Sequence, residues 1–132
     1  MSAVPYETPA DPLGALVVPG QYTVKLEVGG HVYSQPLTVR RDPRETTSAA
    51  AFAAQLALEQ KLMAGMKASY EGYEAAKKQN QESVAEKFSD LNDGLGSLTV
   101  LIDQADEPPT EAMKSAANRK LEQLSKQLQI TK

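Results

Sequence analysis

The chain has 132 residues, with 14 basic and 17 acidic side chains for a net charge of −3, and it contains neither Cys nor Trp. That length fits one domain or two small layers sharing a core, and the missing Cys excludes disulfides and thiolate metal sites. The intermixed charges lack the Lys and Arg clustering of a nucleic-acid footprint, and no apolar run is long enough to span a membrane. With aromatics at only 5%, the core must be built mainly of Leu, Val, Ala and Met.

Residues 1–13 carry Pro5, Pro9 and Pro12, each removing a donor and biasing its predecessor toward extended geometry. Met1 to Tyr6 lacks the basic and apolar regions of a signal peptide, which says nothing about a parent protein if the chain is a fragment. Ala15 to Val18 reads as a short edge strand. Pro19-Gly20 then reads as the centre of a type II turn with Gly20 at positive φ.

From Gln21 the pattern has a period of two. Tyr22, Val24, Leu26 and Val28 alternate with Thr23, Lys25 and Glu27, as in a half-buried strand. Gly29-Gly30 suits a two-residue primed turn. That turn sets Val28 opposite His31, Leu26 opposite Tyr33, Val24 opposite Gln35 and Tyr22 opposite Leu37. Tyr33, Leu37 and Val39 therefore extend the apolar face of the first strand. Pro36 cannot donate to a ladder, so the second strand is an edge there or is bulged. Two strands alone are marginal in water, so the apolar face needs a cover, either from the helices that follow or from strands outside this chain.

After Arg40-Arg41-Asp42-Pro43-Arg44 the period changes to that of a helix. Ser48 is the favoured N-cap of a helix from about 49 to 79, with an expected apolar stripe of Phe52, Leu56, Met63, Met66, Tyr70 and Tyr73. Gly65 and Gly72 weaken it slightly. A turn falls near Asn80. A second helix runs from about 82 to 105 with Val84, Phe88, Leu91, Leu95, Leu98, Ile102 and Ala105 on one face, and Gly94 and Gly96 mark a kink or a close helix contact. Pro108-Pro109 stops the chain before Thr110 caps a third helix, about 111 to 129, whose face carries Met113, Ala117, Leu121, Leu124 and Leu128. Glu122 and Lys126 hold the favourable i, i+4 order. The expected fold class is α+β: a hairpin module in residues 1–44, followed by an antiparallel three-helix bundle in residues 45–132.

Chemistry is sparse. His31 is the sole histidine and sits at the hairpin turn, where a solvated loop residue is the plain reading. The carboxylate pairs Asp90/Asp93 and Asp103/Asp106 read as solvated helix surface and helix termination. Asp90 to Gly94 lacks the ligand series of a calcium loop. Arg40, Arg41 and Arg44 form the densest basic cluster, read first as pairing with Asp42, Glu45 or acidic helix faces, and second as an anion site. Tyr70 and Tyr73 have helical spacing that suits core or interface, with stacking on a sugar or base as the other reading. These five residues are the candidate interaction residues. No catalytic residue, metal ligand or cofactor is expected.

The run Val18-Pro19-Gly20-Gln21-Tyr22-Thr23-Val24-Lys25-Leu26, then Gly30, Gln35-Pro36-Leu37-Thr38-Val39 and Asp42-Pro43-Arg44, resembles the C-terminal region of large bacterial BNR-repeat, sortilin-type β-propeller proteins, often labelled glycosyl hydrolase-like. Pro108-Pro109-Thr110 before an amphipathic helix is similar to that family's ending. In such proteins the propeller carries any hydrolytic site, and this chain has no Asp-box and no Trp. The resemblance implies an extracytoplasmic setting. It also implies that the hairpin corresponds to the last two strands of an Ig-like sandwich, either cut from it here or packed on the helices instead.

The leading functional expectation is a non-catalytic C-terminal accessory module whose partner is a protein, the upstream propeller of the parent chain. A self-associating, homodimeric module is the alternative. A carbohydrate-binding or hydrolytic domain ranks last.

Overall fold

A computed structural model describes residues 14–44, 46–104 and 108–131. It holds a two-stranded antiparallel hairpin, β1 (Gly20–Val28) and β2 (His31–Val39), followed by α1 (Ala49–Lys78), α2 (Glu82–Asp103) and α3 (Glu111–Ile130). The architecture is the expected α+β arrangement.

The hairpin follows from its turn. Gly29 and Gly30 take φ of 57° and 80°, the paired positive values of a type I′ turn, which glycine adopts without steric cost. The register runs unbroken from Val28↔His31 to Gly20↔Val39, with Leu26↔Tyr33, Val24↔Gln35 and Tyr22↔Leu37 as the turn dictates. Pro36 stands opposite Thr23 with no extra residue on either side, so it occupies an edge position and not a bulge.

Two expectations at the hairpin's entrance are corrected. Residues Ala15 to Val18 lie in no strand, and Gly20 is not at positive φ. Gly20 instead opens β1 as the partner of Val39, which demands extended backbone and is incompatible with the second centre of a type II turn. The chain bends at Pro19, and the Tyr22 hydroxyl donates to the Val18 carbonyl.

The starts of α1 and α3 and the end of α1 have local causes. The Ser48 hydroxyl accepts from the Ala51 N–H at 3.1 Å and the Thr110 hydroxyl from the Met113 N–H at 3.2 Å, satisfying otherwise orphaned donors. At the end of α1, Asn80 adopts φ 57°. The Gln81 N–H reaches the Ala76 carbonyl at 3.0 Å and the Asn80 N–H reaches Lys77 at 3.1 Å. Those bonds are the 6→1 and 5→2 pair of a Schellman motif. α2 ends at Asp103, while Ala105 lies outside the described residues.

The helices form an up-down-up bundle. Gln55 bonds the Ile102 carbonyl at 3.4 Å, and Asn92 bonds the Met66 carbonyl at 2.8 Å, so α1 and α2 run antiparallel. Leu121 and Leu124 approach Gly65, and Leu128 shares a groove with Gly72 and Phe88, so α3 runs alongside α1 in the same direction. Leu62, Phe88, Leu95, Ile102 and Ala117 are completely buried, and each of the larger four contributes roughly 1.5–3 kcal/mol by leaving water.

The buried face of α1 is not the expected stripe. It passes through Glu59, Leu62, Gly65, Met66, Ser69 and Ala76, while Met63 stays 37% exposed. Two of those positions are polar and two are Gly or Ala, so hydrophobicity alone points to the wrong angle around the helix. Gly65 and Gly72 are close-contact positions: a Cβ at Gly65 would stand 2.8 Å from Leu121 Cδ2, and one at Gly72 would stand 2.6 Å from Phe88 Cε1.

Candidate docking surface

The alternation along β1 and β2 gathers Tyr22, Val24, Leu26, Val28, Tyr33, Leu37 and Val39 on one face of the hairpin. Tyr22 and Val39, at the foot of the hairpin, are half-buried, but among the described residues no helix backbone comes close to either strand, and the rest of the face is open. Leu26 is 58% exposed and Tyr33 is 60% exposed. Val32, on the opposite and otherwise polar face, is equally open. The chain's own helices are thus not the cover that the apolar face requires, and an exposed contiguous patch of this kind is the usual mark of an interaction site.

The polar face is knit locally. Thr38 Oγ1 donates to Gln21 Oε1 at 2.9 Å across a directly opposed pair. Lys25 and Glu27 are exposed on this face, on either side of Leu26 in sequence.

At the foot of the hairpin a cleft of about 260 Å³ opens toward the start of α1, lined by Leu16, Val39, Phe52, Leu56, Arg41 and Asp42 among others. Its origin is a length mismatch. α1 has 30 residues and α2 has 22, and α2 ends where Ile102 and Asp103 meet the level of Gln55. Phe52, one turn earlier, therefore lies beyond the reach of α2, and with Leu56 it faces the cleft in place of the core stripe first assigned to both.

The candidate interaction residues do not form one site. Arg44 grips Asp42 with Nε at 3.1 Å from Oδ1 and Nη2 at 2.7 Å from Oδ2, and its backbone N–H adds a third bond at 2.9 Å. Hydrogen bonding from the Arg44 side chain, then from its N–H, holds the Asp42 carboxyl below its usual range, and the same pairing raises Arg44. Arg41 Nη1 donates to the Thr47 carbonyl at 2.7 Å, stapling the connection into α1. Arg40 is exposed and lines the cleft. Glu45, another expected partner of this cluster, lies outside the described residues. Tyr70 and Tyr73 are half-buried on α1, about 27 Å or more along the helix from Phe52, and Tyr73 packs against the bundle core.

His31 stands exposed opposite Val28. Asp90 is exposed, Asp103 is half-buried with Oδ1 enclosed and without a hydrogen-bond partner, and Asp106 lies outside the described residues. Among the described residues no three His, Asp or Glu side chains come together as a metal site, and no helix is long and apolar enough to cross a membrane.

Sequence reasoning missed the polar layer inside the bundle. Asn92 and Ser69 are fully buried, Glu59 is buried to within 1%, and Gln55 Nε2 bonds Glu59 Oε1 at 3.0 Å. Their one signal is position: Glu59, Leu62, Met66 and Ser69 keep helical spacing with one another. No family model, no curated protein and no solved structure matches this chain.

Proposed function

We propose that this chain is a non-catalytic accessory module that docks onto a larger protein through the apolar face of its hairpin. One observation carries the reading: the face formed by Val24, Leu26, Val28, Tyr33 and Leu37 is apolar, regularly patterned and exposed. A two-stranded hairpin gains little stability alone, so a face of this composition is one that a partner completes. The resemblance of residues 18–44 to the C-terminal region of BNR-repeat, sortilin-type proteins supplies the partner, the propeller of the parent polypeptide, and with it an extracytoplasmic setting. The three-helix bundle serves as an independently packed support.

The test has a genetic part and a binding part. The reading frame upstream of Met1 is expected to continue into a BNR-repeat propeller, and a stop codon with a promoter there would overturn the reading. The separately produced propeller should bind the chain saturably in calorimetry, and Leu37→Lys, which puts a charge on the apolar face opposite Tyr22, should abolish that binding.

A further inference from the structure

The two edges of the hairpin are not equivalent. In a type I′ turn the Val28 carbonyl accepts from the His31 N–H, so Val28↔His31 is a hydrogen-bonded pair and the alternation continues down the ladder. Even-numbered residues of β1 therefore spend their backbone groups on β2. Gln21, Thr23, Lys25 and Glu27 turn theirs outward. On β2 the outward positions are Val32, Ser34, Pro36 and Thr38, and Pro36 has no N–H to offer. The outer edge of β2 is thus interrupted at its middle. The outer edge of β1 offers an unbroken series of donors and acceptors, and among the described residues no further strand pairs with it.

An exposed edge strand ordinarily resists pairing through a charged side chain, most often Lys. β1 carries Lys25, with Glu27 two residues on and on the same face, and among the described residues neither enters an ion pair. That spacing is self-complementary. If two copies of β1 run antiparallel about a two-fold axis through Leu26, outward-bonding Lys25 falls directly opposite Glu27 of the second copy, and Glu27 opposite Lys25. On the other face Leu26 meets Leu26, and Val24 meets Val28, twice. A two-fold axis at Lys25 or at Glu27 would set like charges against each other, and one at Val24 would leave both charges opposite uncharged Thr23 and Gln21.

We propose that β1 is a homodimerisation edge, on which a second copy of this chain pairs antiparallel in the Leu26-centred register, through Val24 to Val28 of each copy, to give a four-stranded sheet ordered β2-β1-β1-β2. The inference rests on the reading of the hairpin as the docking element, and it deepens that reading, because pairing joins two small apolar faces into one. The edge used for pairing and the face used for docking are separate surfaces.

Charge reversal tests it. Sedimentation velocity on the full chain from about 1 mM to about 1 µM is expected to show a reversible monomer–dimer equilibrium. Lys25→Glu and Glu27→Lys should each weaken dimerisation about tenfold or more, since each turns two attractive cross-strand pairs into repulsive ones. An equimolar mixture of the two variants should form a heterodimer of restored affinity, and the double variant K25E/E27K should dimerise like the parent chain. A monomeric parent chain at about 1 mM overturns the proposal. So does a dimer that the single reversals leave unchanged, or a mixture that fails to restore association. Leu37→Lys separates the two readings, because it should abolish propeller binding and leave dimerisation intact.

Discussion

Asn92 Nδ2 on α2 lies 2.8 Å from Ser69 Oγ on α1, and both residues are completely buried. The same amide nitrogen donates to the Met66 carbonyl at 2.8 Å, and Ser69 Oγ donates to that carbonyl as well, also at 2.8 Å. A closed polar triangle inside an apolar seam fixes the relative height of two helices, because sliding either one by a turn leaves buried donors without acceptors. Asn92→Ala removes both donations and leaves a small void. We expect a loss of about 1–3 kcal/mol in urea unfolding. Ser69→Ala should cost less on its own, and the double variant should show coupling, since the two side chains share a bond. Additive losses would argue against the triangle.

Gly72 and Gly94 are both helical, and they should respond to alanine in opposite directions. In a helix Gly→Ala ordinarily gains about 1 kcal/mol. At Gly72 the new Cβ would sit 2.6 Å from two atoms of the completely buried Phe88 ring, a rigid group that cannot swing into water, so an overpacking cost of about 1–3 kcal/mol should outweigh the gain. At Gly94 the nearest atoms are Lys120 Cε at 2.8 Å and Nζ at 2.9 Å, the far end of a flexible side chain that can swing into water. Gly94→Ala should therefore stabilise the bundle, and thermal unfolding of the two variants gives the comparison.

How much of this was readable in advance depends on which force decides each element. The hairpin register was legible because Gly29-Gly30 and strict alternation specify it twice over, and the end of α1 was legible because Asn80 follows a polar break. The angle of α1 was not. Its inward face uses Gly65, Ser69, Gly72 and Glu59, residues chosen for closeness and hydrogen bonding, which no hydrophobic count registers. Gly20 misled for a related reason: its local turn preference yields to pairing with Val39. As for the docking surface, the apolar face of the hairpin was evident from sequence, but its lack of a cover depends on where three helices pack. Lys25 and Glu27 acquire meaning only once the ladder shows which edge is open.

The link between hairpin and bundle should loosen in acid. Arg44 holds the Asp42 carboxyl below its ordinary value. The contribution of this contact is therefore fully present above the ordinary carboxylate pKa and disappears as pH falls through the lower folded value. Both partners are exposed, so the effect should be local and salt-sensitive. An NMR titration should show the Asp42 carboxyl titrating below a free aspartate. Arg44→Ala should return it to the ordinary range, as should high salt in part.

Because the hairpin approaches α1 only at its foot, where Val39 shares a cleft with Phe52 and Leu56, damage at the Gly29-Gly30 turn should stay in the hairpin. Gly30 holds φ of 80°, where a β-branched side chain is strained, so Gly30→Val should disrupt the turn at a cost of about 1–2 kcal/mol. Gly29→Asn, at φ 57°, should be tolerated, since Asn suits the first centre of a type I′ turn. For Gly30→Val we expect accelerated amide exchange across residues 20–39 with the melting temperature of the helical signal unchanged to within about 1 °C. A parallel fall in helix stability would mean that the two parts share a cooperative unit, and that the open face of the hairpin borrows its support from the bundle. An unchanged bundle would show that the hairpin face gains no support from the helices.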